Sequence, residues 1–232
     1  MIFKDRSDAG KRLGNAMARF KGRSDLLILA LPRGGVPVAY EVAKNLDAPL
    51  DVFIVRKLGV PGHEELAMGA VASGGLRVLN QDVITKLGIP TEQIERVCIK
   101  EEREIARRSA VYRGGKQTVE IKGKYIILVD DGLATGSTML AAIRTLRRQD
   151  PKGIAVAVPV SPHSACAKVS TESNEVICLH TPEPFVGVGM WYEDFSQTTD
   201  DEVRDLLEAG TSTQANPIGS KTSGGLAWNG VE

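Results

Sequence analysis

Two adjacent carboxylates and several hydroxyls are the residues of this chain best suited to chemistry. Asp130 and Asp131 follow residues 125–129, a short, continuous and β-branched apolar run typical of a buried strand. A loop rich in glycine and hydroxyls comes next, followed by apolar residues at helical spacing at Met139, Ile143 and Leu146. Because ligands of open α/β sheets bind at the carboxyl ends of the strands, the run predicts a binding site at the sheet edge.

The loop has the composition that a phosphate group requires. Glycines allow close approach of the backbone, a helix start offers free N–H groups, and hydroxyls donate hydrogen bonds. The loop residues that we assign to a phosphate are Gly132, Ala134, Thr135, Gly136, Ser137 and Thr138. Two carboxylates would repel phosphate alone, so the ligand should also carry hydroxyls or a divalent metal. An ordinary strand–turn–helix with Asp and Ser or Thr as capping residues explains only part of this combination.

The run from Val129 to Thr138 resembles the 5-phosphoribosyl-1-diphosphate (PRPP) motif of type I phosphoribosyltransferases. In that motif two acidic residues after a hydrophobic strand precede a Gly/Thr-rich phosphate loop. The resemblance implies that Asp130 and Asp131, the acidic pair, are catalytic, hold the ribose hydroxyls and bind Mg²⁺ directly or through ribose or water. It also implies that residues 132–138, the phosphate loop, bind the 5-phosphate and that Mg²⁺ is the cofactor.

A second candidate motif follows the apolar run 26–31, which predicts the first strand of the sheet. In the family, the turn after this strand binds pyrophosphate and often contains a non-proline cis peptide bond. Here that bond would precede Arg33 or Gly34. The resemblance implies that Arg33, Gly34 and Gly35, here called the pyrophosphate turn, bind pyrophosphate. Arg33 would be catalytic, because its planar guanidinium presents paired N–H donors to phosphate oxygens.

A basic pair, Arg56 and Lys57, follows the second predicted strand, residues 51–55. The resemblance implies that both residues contact pyrophosphate, whereas the plainer interpretation is a positively charged strand end. His63 lies in the region where the family has a flexible loop that closes over PRPP, and we assign it no catalytic role.

The densest aromatic cluster, residues 184–195, follows the last predicted strand. It is similar to the base-binding segment of hypoxanthine-guanine phosphoribosyltransferases, which implies that Phe185 stacks on the base with Val186 beside it. Packing in the core explains Phe185 equally well. The segment lacks the family's acid near Trp191, and Lys168 is only a loose match to its purine-reading lysine.

Alternation of strands and helices predicts an α/β fold with a doubly wound, mostly parallel sheet flanked by helices. We expect one phosphoribosyltransferase-like domain over residues 1–208. An insertion of about 56–123 should contain a hairpin and a strongly charged helix, and a small hood should combine the N-terminal helix with about 181–200. Residues 209–232 are expected to form a flexible polar tail.

Composition limits the partners. The 232 residues include 29 basic and 29 acidic side chains, so the formal net charge is zero and neither nucleic acid nor a membrane is an expected partner. Three dispersed cysteines argue against a disulfide framework and favour a reducing compartment. No apolar run has membrane-spanning length. We expect a cytoplasmic homo-oligomer, specifically a dimer.

The resemblance spans roughly the first two hundred residues in element order. It implies a Mg²⁺-dependent transferase of nucleotide salvage that moves 5-phosphoribosyl from PRPP to a small nitrogen base, with purine favoured over pyrimidine, and releases pyrophosphate. The alternative is a regulator of the same fold that binds PRPP or nucleotide without turnover.

Overall fold

The computed structural model describes residues 1–115 and 118–212. Its strands are β1 (Leu26–Ala30), β2 (Leu50–Val52), β3 (Val55–Val60), β4 (His63–Ala72), β5 (Leu76–Leu79), β6 (Tyr125–Val129), β7 (Gly153–Val160) and β8 (Glu175–His180). Its helices are α1 (Arg6–Ala16), α2 (Gly35–Leu46), α3 (Gln81–Leu87), α4 (Thr91–Arg113), α5 (Ser137–Arg147), α6 (His163–Ser170) and α7 (Asp200–Ser212).

The central sheet is parallel and has the strand order β2-β1-β6-β7-β8. Every residue of β1 is buried, because alternate side chains face two separate layers of helices. Ile28 packs in one core with α1, α2 and α7, and Leu27 packs in another with α5 and α6. The predicted doubly wound fold is therefore confirmed.

Strand order reverses between β1 and β6, which are neighbours in the sheet. The chain leaves β1 through α2 toward β2, and it leaves β6 through α5 in the opposite direction toward β7 and β8. The last residues of the two strands, Ala30 and Val129, are register partners. The turns that follow β1 and β6 thus begin at the same level, at the switch point where open α/β sheets bind ligands.

The insertion forms a second, antiparallel sheet, β3-β4-β5, together with α3 and α4. The predicted hairpin and charged helix are confirmed, whereas β3, α3 and α7 were not predicted. The predicted strand 51–55 is wrong in extent, because β2 ends at Val52 and β3 begins at Val55. Between them the backbone turns to pair with the second sheet, where Ser73 N–H donates to Ile54 O at 2.9 Å.

The N-terminal segment and the chain after β8 contact each other over the end of the central sheet. Phe3 forms an isolated parallel bridge with Tyr192, and Glu193 N–H donates to Phe3 O at 2.8 Å. Residues 209–212, expected to begin the flexible tail, instead continue helix α7 to Ser212, and the rest of the expected tail lies outside the described residues.

Cys98, Cys166 and Cys178 are free thiols. Within residues 1–115 and 118–212, no helix combines the length and the apolar character needed to cross a bilayer.

Candidate active site

The pyrophosphate turn lies directly against the acidic pair. A Cβ atom on Gly34 would fall 2.7 Å from Asp131 Cγ, and one on Gly35 would fall 2.7 Å from Val129 O. Only glycine fits these two positions, although the turn and the acidic pair are far apart in the sequence. The Pro32–Arg33 peptide bond is cis, at one of the two places that the resemblance indicated.

The acidic pair is mostly buried and internally connected. Asp131 N–H donates to Asp130 Oδ1 at 2.9 Å. Burial raises the pKa of Asp130 well above its ordinary value, and the negative charge of Asp131 acts in the same direction. Burial also raises the pKa of Asp131, while the charge and hydrogen bonds of Arg6 act in the opposite direction.

Two side chains that the sequence did not indicate hold Asp131. Arg6 at the start of α1 places Nε 2.9 Å and Nη2 2.8 Å from Asp131 Oδ2. Tyr192 donates its hydroxyl to the backbone carbonyl of Asp131 at 2.6 Å. Burial, followed by the charge of Asp131, raises the pKa of Tyr192, so this phenol remains a donor at neutral pH. Arg6 and Asp131 are 125 residues apart, and no local pattern links them.

The phosphate loop is anchored at its base and open at its tip. Leu133 N–H donates to Val160 O at 3.0 Å, and Gly136 adopts a φ of 75° before α5 begins. Thr135 Oγ1 and Ser137 Oγ lie 3.0 Å apart. In the described part of the chain, no protein group accepts a hydrogen bond from the N–H groups of the tip, residues 134–136. These donors precede a helix N-terminus, which is the arrangement that binds anions.

The three basic residues that were predicted to bind pyrophosphate have different surroundings in the structure. Arg33 Nη1 lies 3.7 Å from Asp200 Oδ1 on α7, and Arg56 Nε lies 2.7 Å from Glu101 Oε2 on α4. Lys57, together with Ser137, lines a cleft of about 690 Å³ between the second sheet and α5.

The sequence placed Arg56 and Lys57 together at the end of a strand of the central sheet. That placement is wrong, because both residues lie inside β3. Successive residues of a strand point to opposite faces of the sheet, so only Lys57 of this pair lines the cleft that Ser137 shares. Their assignment to pyrophosphate stays a prediction.

On the acceptor side, the predicted base-binding residues are unequally exposed. Phe185 is half-buried and packs with the cluster around Phe3 and Tyr192, whereas Val186 is 81% exposed. Phe195, to which no role was assigned from the sequence, lies beside the partner of Asp131, because its ring centroid is 4.0 Å from the guanidinium carbon of Arg6. The assignment of Phe185 and Val186 to the base stays a prediction.

The donor set at the acidic pair fits a magnesium ion. Among the described residues, no group of three or more His, Cys, Asp or Glu side chains could hold a metal alone. Mg²⁺ does not need such a cage, because it keeps several waters and binds through one or two carboxylates and substrate phosphates. Asp130 and Asp131 supply carboxylates of this kind.

A family model described as "Phosphoribosyl transferase domain" matches residues 9–192. Two curated proteins of Mycobacterium tuberculosis, "Putative phosphoribosyl transferase MT0597" of strain CDC 1551 and "Putative phosphoribosyl transferase Rv0571c" of strain H37Rv, are each 43% identical over 217 residues. Each alignment covers 90% of this chain and 49% of the relative. The chain therefore spans about half the length of these curated relatives.

A solved structure, TT1426 from Thermus thermophilus, is similar along almost its whole length. Its TM-score against this chain is 0.82 at 39% sequence identity, and the alignment covers 89% of this chain and 98% of TT1426. The architecture described above is thus shared with an experimentally determined fold.

Proposed function

Because the chain belongs to the phosphoribosyl transferase domain family, we propose that it transfers the 5-phosphoribosyl group of PRPP to a nitrogen base and releases pyrophosphate. The observation that carries this proposal is the contact between the pyrophosphate turn and the acidic pair. It brings donors for pyrophosphate and acceptors for ribose hydroxyls to one switch point, beside an open phosphate loop.

Each part of the site has a separate task in this reaction. The phosphate loop holds the 5-phosphate through backbone N–H groups and hydroxyls. Asp130 and Asp131 accept hydrogen bonds from the ribose hydroxyls and lie near the ring as it gains positive, oxocarbenium-like character. Arg33 is the donor fork for the charge that develops on the leaving pyrophosphate.

The transfer itself exchanges one bond at C1 of the ribose. A lone pair of the acceptor nitrogen forms the new bond to C1 with inversion, and the C1–O bond breaks with its electron pair going to pyrophosphate. The protein contributes mainly by positioning and electrostatics rather than by a covalent intermediate.

We include Mg²⁺ as the cofactor, held by Asp130 and Asp131 directly or through ribose or water. When bound, it supplies positive charge that offsets the charge of the pyrophosphate. The acceptor in this proposal is a nucleobase, with purine favoured over pyrimidine, flanked by Phe185 and Val186. A role in nucleotide salvage, a cytoplasmic location and a homodimer complete the proposal.

One observation favours a second candidate, a regulator that binds PRPP or nucleotide without turnover. Arg33 and Arg56 both have carboxylate partners, Asp200 and Glu101, which reduce the positive charge available to a leaving pyrophosphate. The Arg33 pair is 3.7 Å long and about one-third exposed, so a more highly charged ligand can displace Asp200 at low cost. Because the Arg33–Asp200 ion pair is weak, we favour the transferase over the regulator.

The test is release of pyrophosphate from PRPP and Mg²⁺ in the presence of a panel of purine and pyrimidine bases. We expect release that depends on one base and that is abolished when Asp130→Asn and Asp131→Asn are combined. Binding of PRPP without release for any base would favour the regulator. Absence of both binding and release would contradict every PRPP-based function.

A further inference from the structure

Arg6 is the one residue of α1 that reaches the acidic pair in the described structure. Its Nε and Nη2 both contact Asp131 Oδ2, and its Nη1 donates to Ser196 O at 2.6 Å. Phe195 covers the guanidinium at 4.0 Å. All three guanidinium nitrogens are therefore engaged, and they join Asp131 to the chain after β8.

The same side chain also borders the pyrophosphate turn. A Cβ atom on Gly34 would lie 3.3 Å from Arg6 Nε, next to the clash with Asp131. Arg6 thus lies where the acidic pair, the pyrophosphate turn and the chain after β8 meet. A surface ion pair is usually exposed and loosely held, but here the side chains of Arg6 and Asp131 are only 12% and 15% exposed.

We propose that Arg6 is a positioning residue that fixes the carboxylate of Asp131 for the ribose of PRPP and couples it to Phe195 and Ser196 in the chain after β8. This inference rests on the proposed function, because it assigns Asp131 to the ribose. Tyr192 holds the backbone carbonyl of Asp131. The part of Asp131 that Arg6 fixes is the side-chain carboxylate.

The planar guanidinium is what allows this coupling. It presents two donors to one carboxylate oxygen, a third donor to a carbonyl and a flat face to an aromatic ring. A lysine at this position would supply the charge as a single point donor and would lose the stacked face. Arg6→Lys should therefore retain only part of the PRPP affinity that Arg6→Met loses.

Phe195 provides the test of coupling. Its ring lies 4.0 Å from the guanidinium of Arg6 and 5.0 Å from the ring of Tyr192, and it has no described contact with the acidic pair itself. If Arg6 carries the coupling, a substitution of Phe195 weakens PRPP binding through Arg6 and loses this effect once Arg6 is replaced. Arg12 on the same helix is a matched control, because it also pairs with an acid, Asp8, and also lies over an aromatic ring, but it has no described hydrogen bond or ion pair with the acidic pair.

The experiment is calorimetric titration with PRPP and Mg²⁺ of wild type, Arg6→Met, Arg6→Lys, Phe195→Leu and the Arg6→Met/Phe195→Leu double variant. We expect Arg6→Met to weaken binding about tenfold or more, and Arg6→Lys to be intermediate. Phe195→Leu should weaken binding about threefold in wild type but have no further effect in Arg6→Met. Arg12→Met should bind PRPP as wild type does.

Equal PRPP affinity of wild type and Arg6→Met would overturn the inference and leave the proposed function standing. The same would follow if Phe195→Leu had an equal effect in both backgrounds. Failure of wild type itself to bind PRPP would overturn the proposed function together with this inference. Should Arg6→Met not fold, as judged by its thermal transition, the cycle is measured with Arg6→Lys, and equal Phe195→Leu effects there would overturn the coupling.

Discussion

Gly34 and Asp131 lie so close together that one added methyl group would force them apart. The added carbon would fall 2.7 Å from Asp131 Cγ and 3.3 Å from Arg6 Nε. The carboxylate that we assign to the ribose would have to move. At this residue, glycine is required for close approach and not for an unusual backbone conformation, because its φ is −60°.

Gly34→Ala should therefore reduce PRPP affinity by about tenfold or more, because it displaces Asp131 and disturbs the contact with Arg6. The measurement is calorimetric titration with PRPP and Mg²⁺. Gly187→Ala serves as the control, since a Cβ atom at Gly187 would meet nothing within 4 Å. Retention of full PRPP affinity by Gly34→Ala would show that the position of Asp131 does not matter.

Tyr192→Phe should lower the free energy of unfolding by about 1–2 kcal/mol, because the carbonyl of Asp131 loses its buried hydroxyl donor. Urea unfolding measures this change. Tyr40→Phe is the matched control: Tyr40 is half-buried, and its hydroxyl has no hydrogen bond within the described residues. Equal effects of the two substitutions would mean that the hydroxyl of Tyr192 contributes nothing specific.

At the scale of elements, the insertion is attached to the central sheet by a buried ion pair. Arg113 at the end of α4 contacts Asp51 of β2 at 3.0 Å, with side chains 7% and 10% exposed, and it also donates to Val52 O at 2.6 Å. Asp51 receives the N–H of Val52 as well. This attachment fixes the end of α4 beside the strand that precedes the second sheet.

Arg113→Met should reduce the free energy of unfolding by about 3 kcal/mol, because it leaves Asp51 as a buried charge without its cation. Arg96→Met on the same helix should cost about 0.5 kcal/mol or less, because the Arg96–Glu92 pair is 76% exposed on both sides. Chemical denaturation compares the two. Similar losses for both variants would contradict the structural role of the Arg113–Asp51 pair.

The elements with a clear apolar pattern were predicted from the sequence, whereas β3, α3 and α7 were missed. Both faces of β1 and β6 are buried, so their apolar runs are continuous and easy to recognise. Among residues 200–210 of helix α7, the buried side chains are Val203 and Leu207, one turn apart, but Thr199 before the helix accepts the N–H of Glu202 in a capping arrangement. That pair of signals was present in the sequence and could have predicted the helix.

At the scale of the whole molecule, the loops after β1 and β6 are joined at the switch point by α1 and by the chain after β8. The residues assigned from the sequence on the loops after β1 and β6 do come together, because adjacent parallel strands deliver their following loops to one edge. The contacts of Arg6, Tyr192 and Phe195 could not be predicted, because they join distant parts of the chain. Such pairs follow from the packing of the hood and not from local spacing.

The zero net charge of the whole chain has a consequence for partners. Binding to nucleic acid depends chiefly on basic residues that neutralise phosphates, so we expect no measurable binding of a single-stranded RNA oligonucleotide at physiological salt. Fluorescence anisotropy of a labelled oligonucleotide tests this. Tight, salt-dependent binding would point to a local basic surface with a function beyond the one proposed here.

In the proposed function, the acidic pair and its neighbouring loops hold PRPP. Its most direct test is calorimetric titration of the protein with PRPP in the presence of Mg²⁺, for wild type and for the combined Asp130→Asn and Asp131→Asn variant. We expect one PRPP bound per chain in wild type and an affinity at least about thirtyfold weaker in the variant. No binding to wild type, or equal binding to both proteins, would contradict it.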